Sequence, residues 1–335
     1  MKALNTAELE RLIKLPKFEL HVHLEGFVDL TFWEEMVKAQ GTWTFERAQA
    51  MQAHFAFKSF PLFLKCFGAV IYSFLSPADF YRLARYAAER LKAQGVVYAE
   101  VMMTPPFFVN RGIDFFEMMA EVDRGFTSVE IEGGPQIKLI FDGARNFGNA
   151  EVRHCFELAA QDKTGRVIGV GLGGDEVNFP ARDFVDEFKW AQAQGLHLTC
   201  HAGEAAGAQS IMEAVQLLGA ERLGHALGIE AGSALEEEIL KNSVALDLCP
   251  HSNLTTGVLA TLDQHPLEAY LARGHRVSLS SDDPGFFRTD LIKELSWAWG
   301  LGGETLVKQV NQSALLASFM PPAQKTRWAT EIAQF

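Results

Sequence analysis

The sequence lacks the features that mark membrane-spanning and nucleic-acid-binding proteins. No uninterrupted apolar run approaches the roughly 20 residues that cross a bilayer. No stretch is rich in Lys and Arg, and 42 acidic against 30 basic residues give a formal net charge of -12. A protein that neutralises nucleic-acid phosphates normally carries the opposite charge, at least locally. We therefore expect a small-molecule partner, with no binding to nucleic acid or membranes.

Cysteine is also sparse, and its spacing is uninformative about metals. The chain has Cys66, Cys155, Cys200 and Cys249, none of which forms a CxxC pair. This argues against a zinc knuckle or a redox motif and favours buried free thiols in a reducing compartment. Charged residues interrupt the first 17 positions, so no secretory signal is expected there. The prediction is a cytoplasmic protein.

No linker rich in Pro, Gly or Ser divides the chain, and we expect a single domain over residues 1–335. Short apolar runs alternate with longer helical patterns, as in 181–195, 210–221 and 265–274. The short apolar runs number eight, and they span 18–24, 96–103, 137–142, 167–173, 196–202, 222–226, 244–249 and 276–282. Runs this apolar are typical of parallel strands that are buried on both faces. They predict a (β/α)₈ TIM barrel, with a doubly wound open sheet as the alternative.

One connection is unusually long for such a barrel. About seventy residues, 27–95, separate the first two runs, and a structureless loop of that length is improbable. We expect a helical insertion. Its aromatic-rich part, 54–74, either buries its own phenylalanines or supplies apolar walls to a pocket at the barrel mouth, and the two roles are compatible.

Polar residues collect at the carboxyl ends of the runs, which meet on one face of a barrel. They are His21, His23, Asp175, Glu176, His201, Glu204, His225, Asp282 and Asp283, and Gly174 lies beside them in GLGGDE. A single strand histidine is usually a core residue, and an Asp-Asp-Pro sequence often caps a helix. Two histidines on the same side of one strand, as in HVH, are harder to satisfy without a cation.

The combination favours a metal site over these separate structural explanations. His21, His23, His201 and Asp282 are three imidazoles and one carboxylate, a donor set suited to one zinc ion per chain. Zinc lowers the pKa of a bound water to roughly 7. Glu204 is then a candidate acid, and His225 and Asp283 are candidates for handling the water.

Five motifs together resemble the adenosine deaminase family of the amidohydrolase superfamily. They are LPKFELHVHLEG, HAGEAAG, ERLGHALG, LCPHSNLTTG and SSDDP, in this order, and they extend from about Leu15 to Pro284. The resemblance implies a (β/α)₈ barrel with one catalytic zinc. It implies a hydrolase that removes the amino group of a 6-aminopurine, with a purine nucleoside as the small-molecule substrate.

The same resemblance assigns roles to individual residues. His21, His23, His201 and Asp282 match the zinc ligands, and Glu204 matches the acid that protonates ring N1. His225 matches the residue that orients and deprotonates the attacking water, and Asp283 matches the carboxylate that hydrogen-bonds this nucleophile. Gly174 matches the glycine whose backbone N–H meets ring N3.

Several departures from the adenosine deaminase pattern concern the substrate. Glu25 stands where adenosine deaminases usually have Asp, as in relatives that act on adenine or on 5′-modified nucleosides, whereas GLGGDE resembles the nucleoside branch. VMMTPPFF stands where adenosine deaminases typically have Arg-Phe or Arg-Tyr followed by Ser-Pro. LIFDGARNFG and residues 75–101 look closer to bacterial 6-aminodeoxyfutalosine deaminases of menaquinone biosynthesis. We expect substrate contacts from Glu25, Gly174, Asp175, Phe107 and Arg145.

Adenosine or deoxyadenosine, converted to inosine or deoxyinosine and ammonia, is the first hypothesis for the reaction. A 5′-modified adenosine such as 6-aminodeoxyfutalosine is the second, and free adenine is a further one. An HxH motif on the first strand of a barrel is also found in metal-dependent phosphoesterases and lactonases, although HAGE and SSDDP favour deamination. A non-catalytic protein is disfavoured, because the set of candidate ligands and proton-transfer residues is complete.

Overall fold

The computed structural model describes residues 4–57 and 59–334, and this part of the chain contains eight β-strands. Each strand lies where a run predicts it, with bounds that differ by at most a few residues. The strands are β1 (Lys17–His23), β2 (Val96–Met103), β3 (Gln136–Ala144), β4 (Val167–Gly173), β5 (His197–Ala202), β6 (Arg222–His225), β7 (Ala245–Leu248) and β8 (Arg276–Leu279).

Consecutive strands pair in parallel, so the sheet order follows the chain order. The sheet closes just beyond β8, where Val22 and Asp282 form a parallel bridge. There the backbone N–H of Asp282 donates to the carbonyl of His21 at 3.1 Å, and that of His23 donates to the carbonyl of Asp282 at 2.8 Å. The predicted (β/α)₈ barrel is confirmed, and the doubly wound alternative is wrong because an open sheet would leave two free edges.

The described residues form 16 α-helices around these strands. In the first half they are α1 (Thr6–Lys14), α2 (Leu30–Ala39), α3 (Phe45–His54), α4 (Phe60–Ile71), α5 (Pro77–Ala93), α6 (Pro106–Val109), α7 (Phe115–Glu130) and α8 (Asn149–Ala160). The second half adds α9 (Val185–Ala193), α10 (Gly207–Gln216), α11 (Ala234–Asn242), α12 (Pro250–Thr255), α13 (Leu267–Ala272), α14 (Pro284–Phe287), α15 (Leu291–Ala317) and α16 (Pro322–Gln334). In the described part of the chain, no helix has both the length and the apolar character of a transmembrane span.

The long connection between β1 and β2 contains helices α2 to α5. Side-chain caps set where these helices begin: the Asp29 carboxylate accepts from the N–H of Phe32 before α2, and Ser76 and Asp79 form a capping box with Pro77 before α5. The segment has a buried core of its own, in which the Trp33 indole N–H donates to a serine hydroxyl. These helices place α4 over the barrel mouth, where it forms part of the cavity wall described below.

The amino-terminal half of the barrel interior holds a buried ionic network. Arg222 is fully buried between two carboxylates, with Nη1 2.6 Å from Glu100 Oε2 and Nε 2.5 Å from Asp247 Oδ2. The Tyr98 hydroxyl donates to Glu100, and the Ser278 hydroxyl donates to Asp247. Because every charge has a partner, burial of this network is compensated, and it ties β2, β6, β7 and β8 together.

Replacing Arg222 with Met should lower the free energy of unfolding by about 3–5 kcal/mol. The reason is that Glu100 and Asp247 would remain buried without their cation. Urea denaturation monitored by circular dichroism measures the change. Arg327→Met is the matched control, since Arg327 pairs with Glu331 at the surface with 71% of its side chain exposed, and it should change stability by well under 1 kcal/mol. Equal losses in the two variants would contradict this account.

Candidate active site and metal centre

A cavity of about 550 Å³ opens at the carboxyl ends of the strands. All eight strand ends border it, either directly or through the residue or short loop that follows the strand. Its polar floor is lined by His23, Thr104, Asp142, Gly173, Gly174, His201, Glu204, His225, Ser252, Asp282 and Asp283. Residues from the carboxyl ends of β1, β4, β5, β6 and β8, which are far apart in the sequence, therefore lie together at one place in the fold.

His21, His23, His201 and Asp282, here called the donor cluster, converge at the centre of this floor. One donor atom from each lies within 4.8 Å of every other. His23 Nε2 is 3.3 Å from His201 Nε2 and 3.4 Å from Asp282 Oδ1, and His21 Nε2 is 3.6 Å from the same oxygen. Donors that surround zinc tetrahedrally at 2.0–2.1 Å are separated by about 3.4 Å, so the donor cluster has the spacing of a metal site.

The protonation states and hydrogen bonds of the donor cluster also fit a cation. Both ring nitrogens of the buried His21 lack a hydrogen-bond partner among the described residues. Burial lowers the pKa of His23 to about 4 and that of His201 well below its usual value, so both imidazoles are neutral, as metal ligands must be. Burial opposes ionisation of Asp282, but the facing imidazoles hold its pKa below the usual range and keep it charged.

Two glycines make room for these side chains. A Cβ on Gly224, in the RLGH motif, would lie 2.5 Å from Cε1 of His21. A Cβ on Gly26, in HLEG, would lie 2.4 Å from Oδ1 of Asp283. Both distances are far below van der Waals contact, so these glycines are required by close packing across the barrel rather than by their own backbone conformation.

Backbone strain is concentrated at the same floor. Asp282 and His225 have φ angles of +63° and +67°, values that residues with a Cβ rarely adopt. Such strain persists only where the surrounding contacts fix the backbone, and it often marks functional sites. Here β1 holds the Asp282 backbone on both sides through the closure hydrogen bonds.

Glu204, His225 and Asp283 stand beside the donor cluster and line the cavity. Burial raises the pKa of Glu204, which favours the protonated carboxyl. Burial alone would lower the pKa of His225, but the carboxylates of Glu204 and Asp282 outweigh it and raise the value. His225 Nε2 is 3.7 Å from Glu204 Oε2, and Asp283 Oδ1 is buried without a partner among the described residues. The floor thus combines a candidate cation site, a carboxylic acid and an imidazole within reach of one small ligand.

Of the expected substrate-binding residues, Gly174 and Phe107 line the cavity. Gly174 has a φ of +102° and packs against the amide of Asn146, so it exposes backbone where a side chain would not fit. Glu25 is buried and is not among the lining residues; it accepts from the N–H of Thr104, which does line the cavity. Its carboxylate therefore supports the floor from behind.

Arg145 and Asp175 are placed differently from the expectation. Arg145 is fully buried and donates to the carbonyls of His201, Leu172 and Phe179, so its guanidinium joins β4 to β5 and does not reach the cavity. The carboxylate of Asp175 accepts from the N–H groups of the following turn and also lies outside the cavity lining. Side-chain direction at the end of a strand decides such roles, and sequence position alone does not reveal it.

The structure adds residues that sequence reasoning left without a role. The buried Glu176 accepts from the backbone N–H groups of Gly203, Ala205 and Ala206, and thereby holds the loop that carries Glu204. Asp142 lines the cavity with one oxygen unpartnered among the described residues. Glu176 was visible within GLGGDE, whereas Asp142 carried no motif signal.

The upper wall of the cavity is apolar and aromatic. Helix α4 contributes Phe63, Leu64, Phe67 and Ile71. Phe107 comes from α6, Phe147 from the turn after β3, and Phe287 from α14. Arg111 secures the end of α4 by donating to the carbonyls of Ile71 and Phe74. The cavity is therefore divided into a polar floor at the strand ends and an aromatic entrance above it.

Comparison with known proteins agrees with this geometry. The adenosine deaminase family model matches residues 16–335. An aminodeoxyfutalosine deaminase of Streptomyces avermitilis is 32% identical over 95% of this chain and 90% of its own length, and an adenine deaminase of Rhodospirillum rubrum is 31% identical over 95% and 96%. The crystal structure of an amidohydrolase from Burkholderia ambifaria with bound zinc superposes with a TM-score of 0.88 at 21% identity, over 99% of this chain and 94% of that one. The chain belongs to the adenosine deaminase family, and it is a hydrolase that deaminates adenine-like or adenosine-like substrates.

Proposed function

We propose that this protein is a zinc-dependent deaminase of a 6-aminopurine nucleoside, with adenosine and 2′-deoxyadenosine as its first candidate substrates. The observation that carries the proposal is the convergence of the donor cluster with Glu204, His225 and Asp283 on one buried floor. Water adds to C6 of the purine, ammonia leaves, and the 6-oxopurine nucleoside remains. A phosphoesterase of the same barrel type has no need for a buried protonated carboxyl in this position.

One zinc ion per chain would be held by His21, His23, His201 and Asp282. The donor set of three imidazoles and one carboxylate suits zinc, and a solved structure of the same fold contains this metal. Zinc in such a site supplies a water nucleophile at neutral pH. The remaining chemistry belongs to the side chains around it.

Glu204 is the proposed acid. Addition of water at C6 breaks the aromaticity of the purine and moves electron density onto ring N1. A protonated Glu204 donates to N1 and neutralises that charge, and its burial favours the protonated form before the reaction. The backbone N–H of Gly174 would meet ring N3 and fix the orientation of the base.

His225 and Asp283 are proposed to act on the attacking water. His225 accepts a proton from it and later delivers a proton to the departing amino group, which is general acid–base catalysis by one imidazole. Asp283 forms a hydrogen bond with the same water and aims it at C6. Both side chains are buried beside the donor cluster and line the cavity.

Removal of the metal should abolish ammonia release and lower the melting temperature. The donor cluster would then bury an unpaired carboxylate and three imidazoles without their cation. Elemental analysis of purified active protein should give about one zinc per chain, and addition of zinc to chelator-treated protein should restore both properties. Full activity with well under one divalent metal ion per chain would contradict the proposal.

Glu204→Gln should lower kcat by roughly 10²–10⁴-fold while the protein still binds one metal ion, because Gln cannot donate the proton that N1 requires. Ammonia release measured at saturating adenosine, together with metal content, tests this. Glu230→Gln removes an exposed carboxylate of the neighbouring β6–α11 connection and should leave kcat unchanged. Near-normal kcat in Glu204→Gln would exclude the acid role.

A 5′-substituted adenosine is the second candidate substrate. The observation in its favour is the aromatic entrance, since the base and ribose would occupy the polar floor and leave the surfaces of Phe63, Phe67 and Phe107 uncovered. The relative from Streptomyces avermitilis is named for such a nucleoside, aminodeoxyfutalosine. An aryl group at the 5′ position would cover these rings.

Under this second candidate, Phe67→Ala should lower kcat/KM for a 5′-aryl-substituted adenosine by about tenfold, since aromatic pairs contribute roughly 0.5–1.5 kcal/mol beyond their buried area. The value for adenosine should change by less than about twofold. Leu62→Ala, on the exposed face of the same helix, is the control. Loss of the adenine absorbance follows the reaction. If the wild-type protein prefers unsubstituted adenosine, the second candidate is eliminated.

A further inference from the structure

Strand β7 contributes no member of the donor cluster and none of the three proposed catalytic side chains. It lies between β6, which ends at His225, and β8, which leads to Asp282. The chain after β7 forms the short helix α12, within the LCPHSNLTTG motif. Two adjacent residues of α12, Ser252 and Asn253, are almost completely buried. They contact one functional side chain on each flanking strand.

Ser252 contacts Asp282. Its hydroxyl donates to Asp282 Oδ2 at 2.6 Å. The other carboxylate oxygen, Oδ1, is the one that faces His21 and His23. The hydrogen bond therefore fixes the carboxylate plane and selects which oxygen is presented to the imidazoles.

Asn253 contacts His225. Its amide nitrogen, Nδ2, lies 3.0 Å from His225 Nδ1, whereas its buried Oδ1 has no hydrogen-bond partner among the described residues. The opposite ring nitrogen of His225, Nε2, faces Glu204. A 180° rotation of the amide exchanges its oxygen and nitrogen, which have nearly the same shape, so that Oδ1 accepts from Nδ1–H and gains the partner it lacks. The imidazole then keeps its free lone pair on Nε2, which is the form that a base requires.

These contacts hold two side chains that lie at or just beyond the ends of their strands, where regular strand pairing no longer fixes them. Asp282 and His225 both have left-handed backbone conformations just where their strands end. The helix that carries Ser252 and Asn253 is itself anchored, because His251 Nδ1 is 2.7 Å from the fully buried carboxylate of Glu294 in α15. A fixed support therefore reaches two strained residues at once.

We propose that Ser252 and Asn253 are positioning residues of the active site: Ser252 aligns Asp282 for the metal, and Asn253 holds His225 in the tautomer that accepts a proton. The inference rests on the proposed function, since it assigns the two residues through a metal ligand and a base. Helix α12 then serves the reaction by positioning Asp282 and His225, and neither Ser252 nor Asn253 needs to contact the reacting atoms.

Ser252→Thr and Ser252→Val test the first half, because the two side chains have nearly the same shape and only Thr keeps the hydroxyl. Zinc affinity, measured by competition with a chromophoric chelator and without any substrate, should be about 10–100-fold weaker in Ser252→Val than in Ser252→Thr, as for other residues that orient a metal ligand. Thr255→Val is a matched control on the same helix, because its hydroxyl donates only to the carbonyl of His251. Its zinc affinity should equal that of the wild type.

Asn253→Asp and Asn253→Leu test the second half, since Asp can accept from Nδ1–H and Leu cannot. At saturating zinc, Asn253→Leu should lower kcat by at least about 10²-fold with KM within about threefold and zinc affinity unchanged. Asn253→Asp should retain most of kcat. A loss of packing alone would instead affect both variants and the melting temperature together.

The outcomes separate this inference from the proposed function. If wild-type protein neither binds zinc nor releases ammonia from a 6-aminopurine, the proposed function fails. If it does both, equal zinc affinity in Ser252→Val and Ser252→Thr overturns the role of Ser252. Equal kcat in Asn253→Leu and Asn253→Asp overturns the role of Asn253.

Discussion

The two hydrogen bonds that join Asp282 to the backbone of His21 and His23 close the barrel and also assemble the donor cluster. Without closure, the carboxylate after β8 and the imidazoles of β1 would lie at opposite edges of a sheet. With it, the first and last strands supply three of the four donors, and β5 supplies the fourth, His201. The candidate metal site thus depends on closure of the sheet into a barrel. The hydrogen bonds between Asp282 and β1 pair the chain with β1 just beyond the last residue of β8.

The barrel interior is polar at both ends, but the two ends differ in how their charges are satisfied. At the amino-terminal end, the charge of Arg222 is paired with two carboxylates. At the carboxyl end, His21, Asp142 and Asp283 keep buried polar atoms that have no partner among the described residues. Buried atoms of this kind are costly unless a ligand completes them. Charges at the amino-terminal end are therefore balanced within the protein, whereas the unpartnered atoms at the carboxyl end lie in or beside the cavity, where a ligand can complete them.

Support for the floor comes largely from residues that never face the cavity. Arg145 ties β4 to β5 through the carbonyl of His201, and Glu176 secures the loop before α10 that bears Glu204. For Arg145, the direction of the side chain replaces the substrate contact expected from its position, and Glu176 gains a role that its position did not suggest. The same applies to Glu25, whose carboxylate is bound to the backbone of Thr104. Glu25 therefore acts on the cavity through the backbone of Thr104, while the side chains that line the cavity entrance are mainly aromatic.

The sequence by itself determined the eight strands, the barrel and the convergence of the donor cluster with Glu204, His225 and Asp283. It could do so because apolar runs of fixed length predict buried parallel strands, and because strand ends in a barrel must share one face. Only the tertiary structure decided that Arg145 and Asp175 lie outside the cavity, that Gly26 and Gly224 are required by packing, and that Ser252 and Asn253 reach across to β8 and β6. Those facts depend on side-chain rotation and on contacts between residues far apart in sequence, and no local pattern encodes either.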